Sequence, residues 1–171
     1  MNHKLAEIAA KKINAAGGTA KLISLADYPL PLVDASGFGN APEAATKLRE
    51  LIDAHKGLFI ASPEYNAGYA PALKNALDWS SVAKPGAPAS GLAGKVVAIG
   101  SASPGHMGGY RGLTQLRTVL ELGFGALVIP EMVAVGNYAT AFSDAGELTD
   151  ERTAGFFDMT IARLVKEAAR A

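Results

Sequence analysis

The sequence predicts an α/β protein whose parallel sheet is covered by helices on both faces. Three observations predict it. Stretches with apolar residues at helical spacing alternate with short apolar runs along the whole chain. The short runs, Gly57 to Ala61 (Gly-Leu-Phe-Ile-Ala), Lys95 to Gly100 (Lys-Val-Val-Ala-Ile-Gly) and Leu127-Val128-Ile129-Pro130, are apolar nearly throughout rather than alternating. Strands of that kind are buried on both faces. Helical stretches rather than tight turns connect them, as parallel neighbours require.

Taken in order, the first element is a helix. Leu5, Ile8, Ala9 and Ile13 fall on one face, and Gly17-Gly18 supply its stop. Lys21-Leu22-Ile23-Ser24-Leu25 reads as a short strand, followed by a turn-rich stretch from Tyr28 to Asn40. Pro42 suits the first turn of a second helix bearing Leu48, Leu51 and Ile52. His55 and Lys56 suit that helix's negative end, and Gly57 its stop. After the strand Gly57 to Ala61 come a polar loop and a helix opened by Pro71, with Leu73, Ala76 and Leu77 on its apolar face. Lys84 to Gly94 is a loop of Pro, Gly and Ala, and the strand Lys95 to Gly100 follows. A glycine-rich loop then leads to a helix with Leu113, Leu116 and Leu120 in phase and Gly123 at its end. The last strand region begins at Leu127 and extends toward Val135. Thr149-Asp150-Glu151 caps a final helix bearing Phe157, Ile161, Leu164, Val165 and Ala168.

The 171 residues fit a single domain spanning 1–171, without linker, repeat or low-complexity tract. Hydrophobic residues make up 49% and charged residues 19%, the balance of a chain that folds. Sixteen basic and sixteen acidic side chains cancel, which argues against a general nucleic-acid or membrane-surface binder. The absence of cysteine excludes disulfide scaffolds, cysteine–zinc sites and thiol nucleophiles, and fits a reducing compartment. Glu7, Lys11 and Lys12 interrupt any apolar leader, and no apolar run reaches the ~20 residues that span a bilayer. The expected location is the cytoplasm.

Open parallel sheets bind ligands at the carboxyl ends of their strands. Two loops occupy such positions. One is Ser62-Pro63-Glu64-Tyr65-Asn66-Ala67-Gly68-Tyr69; the other is Ser101-Ala102-Ser103-Pro104-Gly105-His106-Met107-Gly108-Gly109. Small residues and hydroxyls at a strand–helix junction expose backbone N–H groups suited to an anion or a flat polar ligand, although glycine and proline also simply turn a chain. Gly105, Gly108, Gly109 and Gly112 lack the dinucleotide spacing of glycines at i, i+2 and i+5. Ser103 is not in a G-x-S-x-G elbow, and no histidine follows His106 to complete a hydrolase triad. No histidine pairs with a second ligand at metal spacing. Clefts without nucleophile, metal cluster or acid–base pair suit an enzyme whose cofactor carries the chemistry.

Ser62-Pro63-Glu64-Tyr65-Asn66, then Pro71, then Leu73-Lys74-Asn75-Ala76-Leu77-Asp78-Trp79 resembles the signature of the NADPH-dependent FMN reductase family, which includes quinone, azo-dye and chromate reductases. The run from Gly100 through Gly109 to Gln115-Leu116-Arg117 is similar to that family's second flavin loop. The resemblance implies a flavodoxin-like, doubly wound, three-layer α/β/α fold with strand order 2-1-3-4-5. It implies bound FMN reduced by NADPH or NADH, and a small acceptor such as free flavin or a quinone. By the same resemblance Pro63, Glu64, Tyr65 and Asn66 line the flavin's polar edge, with Ser101, Ser103 and Gly105 on the other side. Glu64 and Tyr65 also read as a helix-opening acid and a packing aromatic. Lys74, Asn75, Asp78 and Trp79 read as structural residues at a subunit contact, and the assembly implied is a homodimer or homotetramer. His106 and Arg111 read as solvated loop residues, with an ion pair or a nicotinamide phosphate as the functional alternatives for Arg111. The competing readings are a flavodoxin-like FMN-binding electron carrier and a flavin-free interaction domain.

One departure is expected to matter. Family members open with a strand and a loop resembling G-S-x-R-x-x-S-x-N that holds the FMN phosphate. Met1-Asn2-His3-Lys4-Leu5-Ala6 aligns with that loop's last asparagine and the helix after it, so Asn2 is the one phosphate-loop residue matched. The expectation is that about 15–20 upstream residues, a strand and its loop, belong to the natural domain. Without them the Lys21–Leu25 strand is separated from Gly57–Ala61.

Overall fold

The computed structural model describes residues 1–37, 39–82 and 90–171. Its helices are α1 (Asn2–Ala15), α2 (Glu43–Ala54), α3 (Pro71–Val82), α4 (Tyr110–Thr118) and α5 (Glu151–Ala168). Its strands are β1 (Gly57–Ala61), β2 (Glu64–Tyr65), β3 (Gly68–Tyr69), β4 (Val96–Ala102) and β5 (Leu127–Val135). β1, β4 and β5 form a parallel sheet in the order β1-β4-β5, and β2 and β3 form a small antiparallel hairpin.

β4 is the central strand, and all seven of its residues are buried. Because side chains alternate along a strand, one strand feeds two cores. Val97 and Ile99 pack with Leu73 and Leu77 of α3, Leu113 and Leu116 of α4, Leu120 just beyond it, and Leu48 and Ile52 of α2. Val96 and Ala98 face Leu164 of α5, and Ala102 joins Leu5 and Ala9 of α1 and Phe157 and Ile161 of α5. The result is the expected three-layer arrangement, with α1 and α5 on one face and α2, α3 and α4 on the other.

The helix ends follow their local chemistry. Gly17 takes φ +86°, and the Gly18 N–H donates to Ile13 O, closing α1 as the Gly17-Gly18 pair predicts. Asp150 caps α5 through a 2.7 Å bond from the Thr153 N–H. α2 ends at Ala54, and His55 Nδ1 lies 2.7 Å from Leu51 O at its negative end. Gly57 is not that helix's stop. It opens β1, where a Cβ would come within 2.9 Å of Ala168 Cβ, so glycine there lets α5 close on the sheet. The fourth helix also departs from expectation: after Thr118 the chain widens into a π-helical turn, Val119–Gly123, which keeps Leu120 buried and leaves Leu122 exposed.

The five-strand order implied by the resemblance is seen as three strands. Lys21–Leu25, expected as a strand, makes no ladder. Its end turns at once into a 3₁₀ turn at Leu25–Asp27, where Ser24 Oγ accepts from the Ala26 N–H, and no strand lies beside it to pair with among the described residues. Ile23 and Leu25 still pack against the main core. The outer edge of β1 has no ladder partner among the described residues. The opposite edge, β5, is blunted: Pro130 lacks an N–H, the register shifts between Val97 and Ile99, and the Arg117 guanidinium of α4 donates to Val128 O and Ile129 O.

The motif residues of α3 hold the chain's own loop. Asn75 accepts from the Val33 N–H and donates to Pro31 O, both at 2.9 Å, and Trp79 Nε1 donates to Pro31 O at 2.6 Å. Lys74 and Asp78 pair with each other one turn apart. Of the expected Lys84–Gly94 loop, residues 83–89 lie outside the described residues.

Candidate functional site

Both loops singled out from the sequence leave the carboxyl end of the same sheet, one after β1 and the other after β4. The polar loop after β1 is the β2–β3 hairpin, with Glu64 opposite Tyr69 and Tyr65 opposite Gly68. Its two-residue turn puts Asn66 at φ +47° and Ala67 at φ +68°. Positive φ at both central residues is the geometry of tight hairpin turns, which asparagine tolerates and alanine adopts only at a cost. Strain at a loop tip of this kind is retained where the surrounding structure imposes it, commonly at functional sites. Ser62, just before the hairpin, uses its hydroxyl to accept from the Ala70 N–H at 3.1 Å and so fixes the hairpin's base.

The second loop is closed against the end of β5. Gly105 O accepts from the Gly108 and Asn137 N–H groups, and the Ser103 N–H donates to Val135 O at 3.0 Å. Gly108, at φ +62°, sits where a Cβ would meet Ala134 C at 2.6 Å. Only a residue without a side chain lets this turn pack so closely.

Glu64 joins the two loops. Its Oε1 accepts from Arg111 Nε at 2.9 Å and Nη2 at 2.5 Å, and its Oε2 accepts from the Gly112 N–H at 3.1 Å. Gly112 allows the approach, since a Cβ there would lie 3.1 Å from Gly68 O. The hairpin is thereby docked on the first turn of α4. The hydrogen bond from Arg111, with help from the Gly112 N–H, holds the Glu64 carboxyl below its ordinary value of 4.5. A carboxyl depressed by folding adds stability that is complete above its unfolded pKa and is lost as pH falls through the folded one. The melting-temperature gap between the wild type and Glu64→Gln is therefore expected to stay constant from neutral pH downward and to shrink below pH 4.5. Thermal melts across that range check it; a gap that widens in acid would contradict it.

The other predicted residues are distributed around this joint. Pro63 is half-buried, Tyr65 and Asn66 are exposed, and the Asn66 side chain makes no hydrogen bond among the described residues. Ser101, at 1% exposure, lies beneath Gly109, and its buried hydroxyl has no partner among the described residues. Ser103 is half-buried and Gly105 is exposed. Asn2 opens α1 at the end of β4, where Oδ1 accepts from the Ala102 N–H and Nδ2 donates to Ala102 O, both at 2.9 Å. Sequence reasoning missed the Glu64–Arg111 joint because 47 positions separate the two residues. The available signal was Gly112 inside the first turn of a helix, where glycine costs about 1 kcal/mol against alanine and so points to close packing.

A parallel three-layer domain with a tight hairpin and a glycine-rich loop locked together at the carboxyl end of its strands is a flavodoxin-like domain built to hold a flat cofactor. The chain belongs to the NADPH-dependent FMN reductase family, whose model matches residues 1–140. It is 36% identical over 137 residues to an NAD(P)H-dependent FMN reductase of Pseudomonas aeruginosa, covering 80% of this chain and 71% of that one. It is 35% identical over 134 residues to the quinone reductase of Escherichia coli K12, covering 77% and 69%. The flavoenzyme NAD(P)H:(acceptor) oxidoreductase of Paracoccus denitrificans superposes with a TM-score of 0.83 at 28% identity, over 99% of this chain and 90% of that one. The protein is thus an oxidoreductase that uses FMN and NAD(P)H. Among the described residues no helix is long and apolar enough to cross a membrane, and no group of acidic and histidine side chains is arranged to hold a metal ion.

The site fits the ring of such a cofactor. Among the described residues the strained hairpin tip has an uncommitted carboxamide at Asn66, and the second loop is lined by small residues with the unpartnered Ser101 hydroxyl behind it. Glu64, the one carboxylate in either loop, is already spent on Arg111 and Gly112.

Proposed function

We propose that this chain takes reducing equivalents from NAD(P)H at its bound FMN and delivers them to a small, flat acceptor of the quinone type. Bound FMN supplies the hydride-accepting chemistry. The chain's residues bind and orient. Pro63 to Asn66 hold the polar edge of the ring, with backbone N–H groups and the Asn66 carboxamide donating where negative charge develops. Ser101, Ser103 and Gly105 form the opposite wall, and Asn2 fixes the start of α1 beside it. Glu64 acts through Arg111 and Gly112, keeping the two walls at one spacing. Donor and acceptor take turns at the same open face. A single domain forming a homodimer or homotetramer in the cytoplasm belongs to the same reading.

The observation that carries this proposal is the joint itself: a strained hairpin tip and a glycine loop locked together at the carboxyl edge of a parallel sheet. The test is to purify the protein with added FMN, record its visible spectrum, add NADPH under argon, and then add a quinone. Bleaching of bound flavin, restored by the quinone, is the expected result. Flavin colour that NADPH leaves unchanged would indicate an electron carrier, and failure to retain flavin would defeat the proposal.

A further inference from the structure

We propose that Arg111, braced by Glu64, receives a phosphate of the incoming nicotinamide dinucleotide. This rests on the oxidoreductase reading above and adds to it the residue that recognises the electron donor.

Arg111 is held and open at once. Its Nε and Nη2 are spent on Glu64 Oε1, whose side chain is 7% exposed, while the Arg111 side chain is 61% exposed. Among the described residues Nη1 has no partner. A guanidinium held along one edge keeps its outward N–H pair in a fixed plane, the arrangement that matches two oxygens of a phosphate. Bracing also removes rotational freedom before the ligand arrives, so less is lost on binding.

Charge and surface chemistry point the same way. The two loops, 62–69 and 101–109, carry no lysine or arginine themselves, and Arg111, in the first turn of α4, is the cation next after the second of them. Its chain neighbour Tyr110 is 45% exposed, Glu64's neighbour Tyr65 is 59% exposed, and Met107 on the same loop is 47% exposed. The ion pair by itself gives no role to these three large side chains left exposed on the same segments. A dinucleotide does account for them, since it brings phosphates for the cation and flat rings for the aromatic faces. A neutral quinone brings no phosphate, which assigns the cation to the donor rather than to the acceptor.

The test compares the wild type, Arg111→Ala and Arg111→Lys. NADP⁺ and NAD⁺ are titrated calorimetrically into the protein as purified, and steady-state rates are measured with NADPH and NADH at saturating quinone. Arg111→Ala is expected to weaken NADP⁺ binding and raise the KM for NADPH about tenfold, a larger loss than that of FMN affinity in the same variant, with only part of it recovered in Arg111→Lys. A loss confined to the 2′-phosphorylated nucleotides assigns the ribose phosphate; equal losses for both pairs assign the pyrophosphate. Unchanged nucleotide affinity would overturn the proposal, whether or not the variant alters sedimentation. So would a loss of nucleotide affinity no larger than the loss of FMN affinity, which would make Arg111 a clamp only. The calorimetric arm does not depend on turnover. A protein that holds no flavin would defeat the oxidoreductase reading while nucleotide binding still decides this one.

Discussion

Gly109→Ala is expected to lower unfolding stability by about 2–5 kcal/mol and to abolish retention of FMN. Two costs add at this position. Gly109 sits at φ +87°, a left-handed conformation that costs an L-residue about 1–2 kcal/mol. A Cβ built there would strike the Ser101 hydroxyl, approach Ser101 Cβ at 2.7 Å and Glu64 Cβ at 3.4 Å. Ser101 is buried on the central strand and cannot swing clear, so the loop must lift, and overpacking of this kind costs about 1–3 kcal/mol. Lifting the loop also pulls Gly112 and Arg111 away from Glu64, which separates the two walls of the site. Urea unfolding should show a lower midpoint at unchanged slope, and the purified variant should be colourless. Gly105→Ala is the control: a Cβ there meets nothing within 4 Å, and φ is not positive. If both substitutions cost the same, the close packing of Gly109 is not what positions the loop.

The layer architecture was legible because burial leaves a periodic trace. Leu5 and Ala9, Leu113 and Leu116, and Phe157, Ile161 and Leu164 were assigned to inward faces from spacing alone, and all are buried. Residues on one element can be read in this way because the helix or strand imposes their geometry. What could not be read is whatever depends on two elements meeting. Lys21–Leu25 has the composition of a strand, but a strand exists only through a partner, and none stands beside it among the described residues. Gly57 looked like a helix stop and is a contact for Ala168, which comes 111 positions later, 168 against 57. Arg111 looked like a solvated loop residue, yet the guanidinium is bound to Glu64 across the site. The signature Ser62-Pro63-Glu64-Tyr65-Asn66 located the site without indicating which of its side chains face a cofactor and which hold the scaffold. Glu64 belongs to the scaffold by its hydrogen bonds, whereas the Asn66 side chain makes none among the described residues.

Asn2→Ala should show how far the scaffold's tuning reaches. Asn2 and Ala102 are 100 positions apart, and the asparagine amide closes both the N–H and the C=O of Ala102 in a reciprocal pair at 2.9 Å. Ala102 is 3% exposed, so alanine at position 2 leaves two buried backbone groups without that partner. Each such group costs about 1–3 kcal/mol, giving an expected loss of about 2–6 kcal/mol for the pair. In a chain of this size that corresponds to a fall in melting temperature of roughly 4–24 °C. Asn2→Asp separates the two halves of the interaction. A carboxylate can still accept from the Ala102 N–H and is favoured at a helix N-terminus, but it has no hydrogen for the Ala102 carbonyl. It should recover part of the loss, never all of it. Ala102 is also the last residue of β4 before the second loop, so the alanine variant should bind FMN more weakly than its stability alone explains when both are measured at one temperature. An alanine variant as stable as the wild type would mean that α1 finds its place on the sheet through Leu5 and Ala9 alone, and that the polar tie at the sheet's carboxyl edge is incidental to the site it borders.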